Sequence, residues 1–156
     1  MKTLIVIILL ILSNKINACS FVQMIEEFKV NNAVKTKTIP TKPYFKFISI
    51  KRGSDDGNGG SCSDAGILSL EQINKPKLST GYIFEIIEGI YKDKIFYSNP
   101  IVATQGFKEK GLYNFVWLDK SRIKEPLEFK VKITAVSESG DKSEPQILQI
   151  SQSEIK

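Results

Sequence analysis

Hard oxygen donors crowd one short stretch of the chain: Asp55, Asp56, Asn58 and Asp64 stand among and just beyond the glycines that come after Arg52. Calcium takes roughly six to eight such oxygens from a flexible loop. The spacing does not satisfy the calcium loop of helix–loop–helix proteins, and no glutamate closes it. Residues 53–60 are therefore expected to be a glycine-rich loop without a metal, the four donors remaining weak calcium candidates. Phosphate cradling fails too, because neither a lysine-threonine pair nor a helical pattern comes after the glycines. Glu85, Glu88, Asp93 and Asp119 are of the type that glycoside hydrolysis uses in pairs. Alternating strands normally carry such carboxylates on the wet face, so they are expected to be solvated. Tyr113, Phe115 and Trp117 would suit a carbohydrate-binding surface, yet aromatics at alternate positions more often pack inward. There is no histidine, which removes the commonest general base, the commonest metal ligand and the histidine-based triads. No catalytic residue and no cofactor is expected.

The only cysteines are Cys19 and Cys62. Ahead of the first lie Lys2, an unbroken apolar run at 4–12 and a more polar stretch ending in Ala18. That is the build of an export signal; the run is too short to span a bilayer, which takes about twenty residues. Residues 1–18 are read as a cleaved signal peptide, so that Cys19 begins the mature chain in the periplasm or outside the cell. An even cysteine count in an exported protein favours pairing. A Cys19–Cys62 disulfide would join residues 43 positions apart and contribute about 4 kcal/mol by restricting the unfolded chain. The alternative starts from Ile16, Ala18 and Cys19, which resemble the lipobox of bacterial lipoproteins. It implies that Cys19 is lipidated and anchors the chain to the outer membrane. Two cysteines without histidine make a poor metal site.

At 156 residues the chain has a single-domain length. Its 42% hydrophobic and 25% charged residues exclude a wholly disordered or fibrous chain. There are 22 basic against 17 acidic residues; the leader removes two of the basic ones, and the remaining excess of three is spread among acids. The densest basic stretch, Lys35, Lys37 and Lys42, reads as a solvated lead-in to the first strand. Nucleic-acid binding calls for a basic stripe with interleaved aromatics, and none is found. Nothing after the leader is long and apolar enough to span a membrane.

Short strands joined by turns account for most of the chain beyond residue 40. Before them, Phe21, Met24, Ile25 and Phe28 recur at helical spacing, so residues 19–37 are expected to form an arm with a short amphipathic turn or loose packing. Strands are expected at 44–51, 66–70, 82–87, 112–118 and 147–150, and at 95–102 as an edge strand interrupted by Pro100. The clearest pattern is at 127–136, where Leu127, Phe129, Val131, Ile133 and Ala135 alternate with Glu128, Lys130, Lys132 and Thr134. That is a half-buried strand with one wet face. Gly140 and Asp141 turn the chain, and residues 152–156 form a frayed tail. The fold class is all-β, an antiparallel β-sandwich over residues 38–151.

Within that domain the alternating Phe129, Val131, Ile133 and Ala135, the Gly140 turn and the Ser143-Glu144-Pro145 step resemble strand F, the turn and strand G of fibronectin type III domains. Tyr82, Phe84 and Ile86 resemble the family's strand C. The resemblance implies a fibronectin type III, immunoglobulin-like sandwich. Phe129 stands where that family has tyrosine, Trp117 lies on another strand than the family's tryptophan, and the loop after Arg52 is longer. Arg52-Gly53-Ser54-Asp55 differs from the integrin tripeptide of some fibronectin modules by an inserted serine, so that activity is not carried over.

The expected function is that of an exported, non-catalytic binding or structural module of the cell envelope, its partner a protein or another envelope component. A periplasmic inhibitor or immunity protein that blocks an enzyme is the first alternative, and a hydrolase using acidic residues is the second.

Overall fold

The computed structural model describes residues 24–31, 33–34, 37–57, 62–75, 79–89, 95–119 and 126–152. The expected signal peptide, Cys19, Lys35, Asn58, Asp93 and residues 153–156 lie outside them. The described strands are β1 (Ile25–Glu27), β2 (Phe45–Lys51), β3 (Ala65–Gln72), β4 (Thr80–Glu88), β5 (Ile101–Ala103), β6 (Leu112–Leu118), β7 (Glu128–Ser137) and β8 (Gln146–Ser151). A 3-10 turn (Cys62–Asp64) precedes β3, and a one-turn helix, α1 (Gln105–Lys108), precedes β6. The strands form two antiparallel sheets, ordered β1-β5-β4-β7-β8 and β2-β3-β6.

The 127–136 pattern does what its period requires. Leu127, Phe129, Val131, Ile133 and Ala135 are all buried, and they meet Phe45, Leu68, Leu70, Tyr113, Phe115 and Trp117 from the other sheet in one core. Six rings, Phe45, Tyr82, Phe84, Phe96, Tyr113 and Phe115, interlock there, mostly edge to face, at centroid distances from 4.8 Å to 6.0 Å. Such contacts contribute about 0.5–1.5 kcal/mol each beyond area burial. At one side the sandwich is closed by Gln146: its Oε1 accepts from the Phe45 N–H at 2.7 Å and its Nε2 donates to the Phe45 carbonyl at 2.8 Å. An amide side chain thus takes the place of a neighbouring strand.

Several local expectations are corrected. First, Met24, Ile25 and Phe28 belong to a strand and its flanks and not to a helical turn: β1 pairs with β5, Ile25 opposite Ala103 and Glu27 opposite Ile101. The sheet therefore begins before residue 38. Second, β5 is not an edge, since β1 lies outside it. Pro100 has no N–H, but its carbonyl accepts from the Phe28 N–H at 2.8 Å, which carries the pairing past the proline. Third, the far face of β7 is wet for only half its length. Lys130 and Lys132 reach water and pair with Glu88 and Glu85 of β4 at 2.6 and 2.7 Å, whereas Thr134 and Val136 are buried. The arm after β1 covers the Val136 end: Phe28 lies over Gly81, which pairs with Val136, and the Asn31 N–H donates to the Glu138 carbonyl at 2.7 Å. A Cβ on Gly81 would overlap the Phe28 ring, so the close approach needs glycine there. The tail starts ordered, since the Gln152 N–H still donates to the Leu127 carbonyl at 2.9 Å.

Candidate binding cleft

The two ends of the sandwich differ in character. At one end the aspartate-rich stretch builds a structural neck. Asp119, which comes just after β6, is fully buried; its Oδ2 accepts from Arg52 Nε at 2.6 Å and from the Gly53 N–H at 3.0 Å, and its Oδ1 accepts from Arg52 Nη2 at 3.0 Å. The Asp119 N–H donates to the Asp64 carbonyl, and the Ser54 N–H to the Ser63 carbonyl. Asp64 is buried inside this neck. Asp55 is exposed and accepts from the Gly57 N–H at 3.0 Å, while Asp56 is exposed and accepts from Ser63 Oγ at 2.8 Å. Among the described residues no group of three or more His, Cys, Asp or Glu side chains is gathered to hold a metal ion. Asp64 faces inward and Asp55 and Asp56 outward, and Asn58 lies outside the described residues. Arg52 is consumed by the same neck, so the Arg52-Gly53-Ser54-Asp55 run presents no exposed tripeptide. Cys62 is exposed at the start of the 3-10 turn and is not a free cysteine.

The remaining sequence candidates separate cleanly. Glu85 and Glu88 stand on the outer face of β4, each against a lysine, and Asp119 lies in the buried neck. Glu85 and Glu88 thus share one wet face, each neutralised by its lysine. Asp119 is not solvated as expected, because Arg52 and the Gly53 N–H hold it in the interior, apart from the other two. Tyr113, Phe115 and Trp117 all face the core, and Tyr113 also lines the cleft at the other end of the sandwich. The Trp117 ring stands over Gly66 of β3, so closely that a Cβ there would overlap it. Lys37 and Lys42 are exposed.

At the opposite end the sheets part to form a cleft of about 850 Å³, between the exit of β3, the entry of β4 and the β5–α1–β6 connection. This volume lies in the range that holds small ligands or a side-chain cluster of a partner, roughly 300–1,000 Å³. Its floor is Phe28, Tyr82 and Tyr113, with the two tyrosine rings 5.9 Å apart. Gln72 Nε2 donates to the Tyr82 hydroxyl at 2.7 Å. Burial pushes the Tyr82 phenol well above its ordinary value, with the neighbouring Tyr113 adding to the shift and the Gln72 hydrogen bond opposing it. Burial raises Tyr113 to about 12, against a lowering hydrogen bond with the Ala103 backbone. Both hydroxyls stay protonated at any physiological pH. The rim carries Glu26, Glu109, Lys75 and Lys108, and Lys75 Nζ reaches the Glu109 carbonyl at 2.9 Å. The cleft is thus apolar at its base, neutral and hydrogen-bonding in its walls, and doubly charged in both signs at its mouth. It brings together residues distant in the sequence, and no local motif marks it.

No protein-family model, no curated protein and no solved structure matches the chain. No helix among the described residues is long and apolar enough to cross a membrane.

Proposed function

We propose that the chain is an exported, non-catalytic binding module of the fibronectin type III, immunoglobulin-like class, with the cleft between β3, β4 and β6 as its contact site. The observation that carries the binding reading is the cleft itself, a concave surface with an aromatic base and a rim of both charges, which is the make-up of a recognition site. The class is supported by strand neighbours: β4, β7 and β8 lie side by side, as strands C, F and G do in immunoglobulin-like sandwiches, opposite a sheet of β2, β3 and β6. The position of the Trp117 ring over Gly66 also supports it, since an indole then fills the core above the strand that carries the family's tryptophan. Export rests on the leader and on Cys62 not being free, which suits the Cys19–Cys62 disulfide better than an acylated Cys19.

Two measurements test this. Capture from an envelope extract compares wild type with a Lys75→Glu, Lys108→Glu rim variant. A partner held by wild type and lost by the variant supports the cleft, while equal capture or none removes it. Intact mass of the mature protein decides the rest: two hydrogens missing means the disulfide, a large hydrocarbon gain means lipidation, and an uncleaved leader ends the export reading.

A further inference from the structure

We propose that β8 is a homodimerisation edge, on which two copies of the chain pair antiparallel about a two-fold axis at Gln149. The inference stands apart from the cleft and from export. It starts from hydrogen-bond parity. The Gln152 N–H donates to the Leu127 carbonyl, and the β7–β8 register sets Phe129 opposite Ile150, Val131 opposite Leu148 and Ile133 opposite Gln146. Antiparallel ladders alternate, so the backbone groups of Gln146, Leu148 and Ile150 point at β7. Those of Ile147, Gln149 and Ser151 point away from the sheet. Gln146-Ile147-Leu148-Gln149-Ile150-Ser151 contains no charge, and Ile147 is 52% exposed. Exposed edges are ordinarily blunted with charge, proline or bulges, and a long uncharged one is a template for another strand.

The other three edges lack this property. Self-pairing of β1 about Glu26 would set Glu26 against its own copy, a like-charge contact. β2 exposes Lys46 and Lys51 and has a register shift between Phe47 and Ser49, which bends an edge away from partners. β6 has Met24 laid against Asn114 and α1 packed near its start.

On β8 the outward-pointing residues complement themselves. With the axis at Gln149, Ile147 of one copy meets Ser151 of the other, the two Gln149 side chains meet each other, and the five-stranded sheets join into one. The nearest like charges on the axis line are the two Lys130 side chains, opposite Gln149 in each copy. They stand three strand spacings apart, about 14 Å, beyond the screening length of about 8 Å in physiological salt. A second copy of this chain is therefore the occupant that fits, with no charge to select any other partner.

The test uses the two charged variants Gln149→Glu and Gln149→Lys, with mass followed by sedimentation velocity up to about 1 mM protein. In the monomer each new charge meets one like and one unlike neighbour, because Gln149 pairs with Lys130 and bonds to Glu128. Both variants are expected to keep the wild-type melting temperature. Wild type is expected to reach dimer mass, each variant alone to remain at monomer mass, and a one-to-one mixture of the two to recover the dimer. Ser151→Pro, which deletes an outward N–H and no donor to β7, is expected to weaken the dimer without unfolding the chain, and it serves if a charged variant melts early. A wild type that stays monomeric, a variant that dimerises like wild type, or a mixture that fails to recover the dimer overturns the proposal.

Discussion

Replacing Asp119 with alanine should be among the most destabilising single changes in the molecule. The Asp119 side chain is 0% exposed and the Arg52 side chain 5% exposed, with the carboxylate accepting from Nε at 2.6 Å, Nη2 at 3.0 Å and the Gly53 N–H at 3.0 Å. At an effective dielectric of about 20 the attraction of two such charges is about 4 kcal/mol. Truncating one partner of a buried pair costs about 3–5 kcal/mol, because the desolvated charge opposite stays in place. The Gly53 N–H loses its acceptor in the same step, a penalty of about 1–3 kcal/mol that overlaps the first. A loss of about 4 kcal/mol is therefore expected, set against a total of about 5–15 kcal/mol for a domain of this kind.

Urea unfolding measures it, with the midpoint falling and the slope unchanged. Arg52→Met combined with Asp119→Leu should recover most of the loss, since apolar residues of similar volume remove both charges at once. The double-mutant cycle should thus give a coupling of several kcal/mol. The cost of Asp119→Ala should also persist in high salt, because a buried pair is screened far less than the exposed Lys130–Glu88 bridge. A loss below about 1 kcal/mol, or one that vanishes in salt, would show the neck to be solvated and the argument wrong.

Three further outcomes rest on the packing and the titrations. Gly66→Ala drives a methyl into the Trp117 ring and should lower the unfolding free energy by about 1–3 kcal/mol; Trp117→Leu in the same chain should return part of it in a urea melt. Tyr82 and Tyr113 have folded pKa values above the unfolded value of about 10, so their contribution is complete below pH 10 and is lost as pH rises towards about 12 for Tyr113. Urea midpoints should fall over that window, and they should fall less in the double variant Tyr82→Phe, Tyr113→Phe. Asp141 is held below its ordinary value chiefly by the Ser139 hydroxyl and the Thr38 N–H, against an opposing desolvation, with Lys37 adding a lesser lowering. Its contribution is therefore present above the unfolded value of about 3.9 and is lost as pH falls through the lower folded one; an acid titration of Asp141→Asn should lack that step.

What could be read from the chain and what could not divide along a physical line. Strand β7 was legible because its period-2 pattern is dictated by burial against one facing layer, and the same holds for β6, whose bounds at residues 112–118 match the alternation of Tyr113, Phe115 and Trp117. Strand β1 was not, because only Ile25 in it is buried and Met24, Ile25 and Phe28 also fit a helical spacing. Its extended conformation is set by β5, which sets Ala103 opposite Ile25 and Ile101 opposite Glu27 from far along the chain. The cover over Val136 was hidden for the same reason: alternation predicts which face a side chain takes, and not whether an arm from elsewhere lies over that face.

The site divides in the same way. Asp55, Asp56 and Asp64 look alike as letters, yet one hydrogen bond from the Asp119 N–H to the Asp64 carbonyl draws the third into the interior and leaves the other two in water. Arg52 and Asp119 are 67 positions apart, and neither has a local signal that names the other. The cleft depends on Gln72, Tyr82, Lys75 and Tyr113 meeting at the end where the two sheets diverge, so it exists only once both sheets have formed. Recognition at such a place needs no motif within any one segment. Under the proposed reading, substitutions at Lys75 or Lys108 alter the rim while Tyr82 and Tyr113, locked in the core, keep the fold, and such a separation of rim from floor is what lets one scaffold carry different sites.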